Sequence, residues 1–227
     1  MANFCDKVDS KVMRLADHTD FHSRSIQGVR HLKRKIGILT FGSLSVDPGD
    51  EILSKIFMRI KTQTPFPIEY GRLSRTRGGA PTLVLHPEGA PVAAQVLVLD
   101  DSVSVNEARN MLWRRERRRT GSCEAYVEGN SPNSVLVRTF NDHPCVETVH
   151  YTDFHPTGKI SHPSPVELAQ CAIESVKKAE AGKDGISYLI GAIASGIETP
   201  LTKNYVAEIQ RLTGMVSLSK ALEKARA

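Results

Sequence analysis

No apolar run in this sequence approaches the roughly 20 residues a helix needs to cross a bilayer, so a membrane span is not predicted. A continuous apolar stretch is also missing from residues 1–35, where Asp6, Asp9, Asp17 and Asp20 stand among basic residues. That pattern argues against a signal peptide and an acid-poor transit peptide, and the cytoplasm is the expected location. Cys-x-x-Cys pairs are absent: Cys5, Cys123, Cys145 and Cys171 lie far apart, which argues against a zinc knuckle or a dithiol motif. Reduced, mostly buried thiols are the expectation. Neither an internal repeat nor a low-complexity segment occurs. A strong charge of one sign is lacking too. The formal excess of +5 and the pI near 9.1 are common in proteins that bind no nucleic acid, so no polyanion partner is inferred from them.

What is present suits one domain preceded by an arm. Residues 1–35 are polar, rich in charge and His, and end in His31-Leu32-Lys33-Arg34-Lys35. They read as an N-terminal polar arm, and residues 36–227 as the folded domain. The run Ile36 to Phe41 has the length and composition of a buried strand, interrupted by Gly42-Ser43. After the turn and cap residues Asp47-Pro48-Gly49-Asp50, the helical spacing of Ile52, Leu53, Ile56, Phe57 and Ile60 predicts an amphipathic helix. Strands are predicted at 68–73, 82–85 and 93–99, separated by Gly- and Pro-rich punctuation. A helix follows at 105–119, then strands at 135–140 and 146–151. Four helices close the chain, at 165–178, 185–194, 201–212 and 218–226. The fold class is α+β.

Two features could carry chemistry. A strand running into Gly42-Ser43 can aim several backbone N–H groups into one concavity, although Gly-Ser after a strand is more often only a turn. The second is Glu116, a single carboxylate inside Trp113-Arg114-Arg115-Glu116-Arg117-Arg118-Arg119. Neighbouring cations favour its charged form and burial opposes it. A solvated, salt-bridged face or a polyanion patch is the plainer reading of such a run. His86, His143, His150, His155 and His162 match no ligand spacing, loop and strand-edge histidines usually face solvent, and no metal is predicted. Ser43 lacks a Gly-x-Ser-x-Gly setting and is not expected to act as an acyl nucleophile.

Taken together, residues 36–212 resemble the gamma-glutamylcyclotransferase-like superfamily, which includes the cyclotransferases, the ChaC-type enzymes and the AIG2-like proteins. The first strand with Phe41-Gly42-Ser43-Leu44 resembles that family's strand followed by Tyr-Gly-Ser-Leu or Tyr-Gly-Ser-Asn. Gly71-Arg72-Leu73, Pro81-Thr82-Leu83-Val84 and Pro91-Val92-Ala93-Ala94-Gln95-Val96-Leu97-Val98-Leu99-Asp100 resemble its later strands. Leu112-Trp113-Arg114-Arg115-Glu116 stands where the family has Leu-x-x-Arg-Glu. Ser187-Tyr188-Leu189 through Asn204-Tyr205 resembles a C-terminal pattern of Tyr-Leu with a second Tyr one helix later.

The resemblance implies a mixed β-barrel flanked by helices, with the loop after the first strand at its mouth. It implies cofactor-independent conversion of a γ-glutamyl amide to 5-oxoproline with release of an amine, a chemistry classed between acyl transferases and lyases. Glu116 is then the general acid/base, and Phe41, Gly42, Ser43, Leu44, Tyr188 and Tyr205 are substrate-binding residues. Two departures stand out. Phe41 lacks the hydroxyl of the family's Tyr, and Ser45-Val46-Asp47 lacks the Trp of the glutathione-specific branch. The implied partner is a small γ-glutamyl amine, with an acidic one favoured by the cationic run; nucleic acid is not expected. The alternatives are a non-catalytic binder on the same fold and a polyanion-binding module using Arg114 to Arg119.

Overall fold

A computed structural model describes residues 34–227. The arm expected at 1–35 lies outside the described residues except for its last two, which begin the first strand. In chain order the elements are β1 (Arg34–Thr40), α1 (Ser43–Val46), α2 (Asp50–Leu53), β2 (Ile56–Gln63), β3 (Ile68–Ser74), β4 (Ala80–Leu85), β5 (Ala93–Leu99), α3 (Val105–Glu116), β6 (Val135–Phe140) and β7 (Val146–Phe154). Four helices follow: α4 (Pro165–Lys178), α5 (Gly185–Ala194), α6 (Thr202–Thr213) and α7 (Leu218–Arg226).

β1 reads as an unbroken apolar run because both of its faces are covered. It lies inside a five-stranded mixed sheet of order β2-β5-β1-β7-β6, antiparallel to β5 and parallel to β7. Ile36 and Ile38 point to one face, where they pack with Ala108, Met111 and Leu112 of α3; Leu39 points to the other, against Val96, Val98 and Val149. Helix α3 begins where Ser104 accepts a hydrogen bond from the Glu107 N–H at 3.1 Å, a side-chain cap for an otherwise orphaned donor.

The remaining strands, β3 and β4, form a separate antiparallel pair. Their buried residues Ile68, Tyr70 and Leu83 join Leu168, Ile186, Leu189, Tyr205 and Ile209 in a second core under the C-terminal helices. A buried carboxylate joins these layers: Glu69 accepts from the Tyr70 N–H at 2.8 Å, the Thr199 hydroxyl at 2.6 Å and the Leu201 N–H at 3.1 Å. Those bonds hold the start of α6 on β3.

Several expectations need correction. The strands do not close into a barrel: among the described residues β2 and β6 remain edges of an open sheet. β3 and β4 turn their apolar residues to the helices instead of continuing the ladder. The helix expected through Ile52, Leu53, Ile56, Phe57 and Ile60 is also replaced. Helix α2 stops at Leu53, and Ile56–Gln63 pairs with β5 as an edge strand, with a register shift at Phe57. Cross-strand pairs such as Ile60↔Val96 outweigh the local helical spacing, and the β-branched Ile56, Ile60 and Thr62 suit a pleated edge. Cys123 is exposed and Cys145 and Cys171 are half-buried, so the thiols are less enclosed than expected; Cys5 lies outside the described residues. His86 and His150 are buried rather than solvent-facing. His86 is held by the Ile160 carbonyl at 2.9 Å and by the Glu88 N–H.

Candidate active site

The loop after β1 is shaped by one glycine. Gly42 has φ +59°, and a Cβ on it would meet the Tyr188 hydroxyl at 3.1 Å, so both backbone conformation and space favour glycine there. The chain then turns tightly: the Ser45 N–H donates to the Gly42 carbonyl at 3.2 Å, and the Ser45 hydroxyl to Thr40 Oγ1 at 3.1 Å. Leu44 anchors the turn in the core beside α3, while Phe41 and Ser43 face an open cleft. No hydrogen bond among the described residues uses the N–H of Gly42, Ser43 or Leu44.

The arginine-rich run at the end of α3 divides by function rather than forming one charged face. Arg114 is 6 % exposed and bridges two carboxylates, Glu51 at 2.7 Å and Glu107 at 2.6 Å, while also donating to the Glu124 carbonyl at 3.0 Å. Arg119 pairs with Glu124, and Arg117 lies 5.1 Å from the centre of the Trp113 ring. Arg118 takes the left-handed conformation at φ 55°, and the Arg119 N–H returns to the Arg114 carbonyl at 2.8 Å, closing the helix.

Arg115 connects the two features singled out by the sequence. Its guanidinium donates to Glu116 Oε1 at 2.8 Å, to the Ser43 carbonyl at 3.4 Å and to the Asp47 carbonyl. One planar fork thus ties the Glu116 carboxylate, at the last residue of α3, to the loop that follows β1. Gly49 lies against the Arg115 stem, where a Cβ would come within 3.2 Å of Cγ.

The cleft between these parts has a volume of about 770 Å³. Glu116, Phe41, Ser43, Leu44 and Tyr188 all line it. Tyr188 comes from α5, and its hydroxyl accepts from the Leu83 N–H at 3.4 Å. Burial raises its phenol above the usual range, so it stays protonated at neutral pH. Gly42 backs onto this hydroxyl. Tyr205 is elsewhere: it is fully buried in the helical core, with its ring 5.1 Å from that of Tyr70 and edge-on to it. Burial raises its phenol far above the usual range as well.

The other side of the cleft was not singled out in the sequence as binding. Arg72 and Arg77 reach it from β3 and the turn after it, with Arg72 4.0 Å from the centre of the Phe154 ring and Arg77 4.8 Å from that of Tyr188. The only signal for Arg72 was its place in Gly71-Arg72-Leu73. There β3 takes two steps against one of β4, because Tyr70 pairs with Leu83 and Arg72 with Thr82. The bulge at Gly71 re-aims the following side chain. Burial lowers both guanidinium pKa values; the Glu116 carboxylate opposes that shift, and further arginines reinforce it.

Among the described residues, no three His, Cys, Asp or Glu side chains gather as a metal-binding group, and no helix is long and apolar enough to cross a membrane. Comparison of the chain with protein-family models, with curated proteins and with solved structures gives no match, so the site rests on its own residues and their geometry.

Proposed function

We propose that the protein is a gamma-glutamylcyclotransferase-type enzyme that cyclises a γ-glutamyl amide to 5-oxoproline and releases the amine. The observation that carries this reading is the Arg115 fork, which ties the carboxylate at the end of α3 to the loop after β1, whose Gly42, Ser43 and Leu44 N–H groups have no partner among the described residues. In the reaction the substrate α-amine attacks its own γ-carbonyl carbon. A C–N bond forms, the carbonyl π electrons move to oxygen, and the amine loses a proton. Glu116 takes that proton and returns it to the departing nitrogen as the original amide bond breaks. The N–H groups of Gly42, Ser43 and Leu44 supply donors for the oxyanion or for the substrate α-carboxylate. Both reacting groups belong to one molecule, so a cleft that folds the substrate supplies much of the acceleration.

A non-catalytic binder is the second reading, favoured by the ion pair that already engages one Glu116 oxygen. A polyanion module fits less well, because Arg114 and Arg119 are consumed by carboxylates and Arg115 by Glu116 and the loop. Mass-spectrometric assay of 5-oxoproline over a panel of γ-glutamyl amides tests the proposal. Wild type should give product and Glu116→Gln should lose activity by about 10²-fold or more, the usual worth of a general acid/base. Silence from the wild type across the panel, or full activity in Glu116→Gln, refutes it.

A further inference from the structure

We infer that the amine released from this site carries a dianionic group, either a phosphate monoester or a pair of carboxylates, received by Arg72 and Arg77. The inference rests on the cyclisation reading and extends it to the leaving half of the substrate.

The argument is one of unspent charge. Seven cationic side chains line the cleft against two carboxylates, Asp47 and Glu116. Some of the cations are already engaged. Arg115 is held by Glu116 and the loop carbonyls, and Lys183 pairs with Glu180 at 2.6 Å. Arg72, Arg75, Arg77, Arg117 and Arg118 have no ion pair among the described residues. Asp47 forms no ion pair with any of them among the described residues, and its carboxylate accepts from the Gly49 N–H at 3.1 Å.

Arg72 and Arg77 differ from the exposed three. Both are half-buried, and each guanidinium lies over an aromatic ring, as the exposed Arg117 also does over Trp113; burial and stacking together restrict their rotamers before any ligand arrives. Arg77 is further fixed by a bond to the Lys183 carbonyl at 3.3 Å. Burial and like charge both disfavour these cations as they stand, and a bound anion would relieve both. A planar guanidinium presents paired donors that match phosphate and carboxylate oxygens. The γ-glutamyl half offers only one carboxylate, for which the loop N–H groups are available. A leaving amine with a single carboxylate would still leave several guanidinium groups unmatched.

The test is calorimetric titration of the full chain carrying Glu116→Gln, which retains the cationic wall and slows turnover by about 10²-fold or more. Four probes are compared: γ-glutamyl ethylamide, γ-glutamylalanine, γ-glutamylglutamate and γ-glutamyl phosphoethanolamine. The last two should bind at least tenfold more tightly than γ-glutamylalanine, with a preference that weakens as salt rises. The tighter of those two names the source of the charge. Adding Arg72→Met, which keeps an apolar stem over Phe154, should bring the preference within threefold. If that variant does not fold, Arg77→Gln carries the same expectation. Equal affinities, no binding by any probe, or a preference indifferent to both variants overturns the inference. 5-oxoproline formation by the wild type is scored separately. Product without dianion preference refutes only the inference, whereas preference without product refutes the cyclisation, and with it the leaving-amine assignment, and leaves Arg72 and Arg77 as an anion-binding wall.

Discussion

His150 gives the sharpest quantitative test of the fold. It lies on β7 between β1 and β6, opposite Ile38 and Thr139, and is 1 % exposed. Its Nδ1 is 2.9 Å from the Thr139 hydroxyl oxygen. Burial, reinforced by the positive charge of Arg109, pushes its pKa from 6.5 down to about 4, against the opposing pull of the Val105 and Arg138 carbonyls. The unfolded chain therefore binds a proton near pH 6.5 that the folded chain refuses until about pH 4. Between those values the unfolded state carries more protons, so stability falls as pH is lowered. Linkage makes the loss roughly 1 kcal/mol from pH 7 to 5.5, and on the order of 3 kcal/mol once the pH is below 4. Urea unfolding at pH 7, 5.5 and 4.5 of the wild type and of His150→Asn isolates this contribution. Asn retains a partner for Thr139 and does not titrate. The stability difference between the two proteins should shift against the wild type by about 1 kcal/mol over the first interval and by about 2.5 kcal/mol by pH 4.5. A pH-independent difference would refute the assignment of a buried, neutral His150.

Two further substitutions address the site. Arg115→Met removes the fork that joins Glu116 to the loop; stability should fall by roughly 1–3 kcal/mol, and 5-oxoproline turnover by about 10–100-fold through misplacement of the carboxylate. Arg115→Lys should recover little of the turnover, because one ammonium cannot span both carbonyls and the carboxylate, and full rescue by Lys would contradict the positioning role. Arg118→Gly relieves a side chain held at positive φ, so thermal unfolding should move up by about 1–3 °C, with a lowered midpoint counting against the strain argument.

The sequence by itself determined most element boundaries, because they depend on neighbours within a few residues. β5, β6, α4, α5 and α7 lie where apolar spacing and Pro or Gly punctuation placed them. It also determined that Gly42 ends a strand in a tight turn and that Glu116 lies near a helix end amid cations, although the helix expected over 105–119 stops at Glu116. What it left open depends on groups distant in the chain. The segment from Ile56 to Gln63 carries a helical pattern and becomes a strand because β5 offers a ladder. The burial of His86 and His150 follows from segments packed over them, and the open sheet from the helices that take up β3 and β4. Tyr188 and Tyr205 both stand on helices near the C-terminus, yet one lines the cleft and the other the core. The arginine run shows the difference most directly. Its five cations and one anion are adjacent in sequence, but only the tertiary structure sends Arg114 to Glu51, joins Arg115 to Ser43, and brings Arg72 and Arg77 into the same cleft, because an ion pair is decided by distance in space.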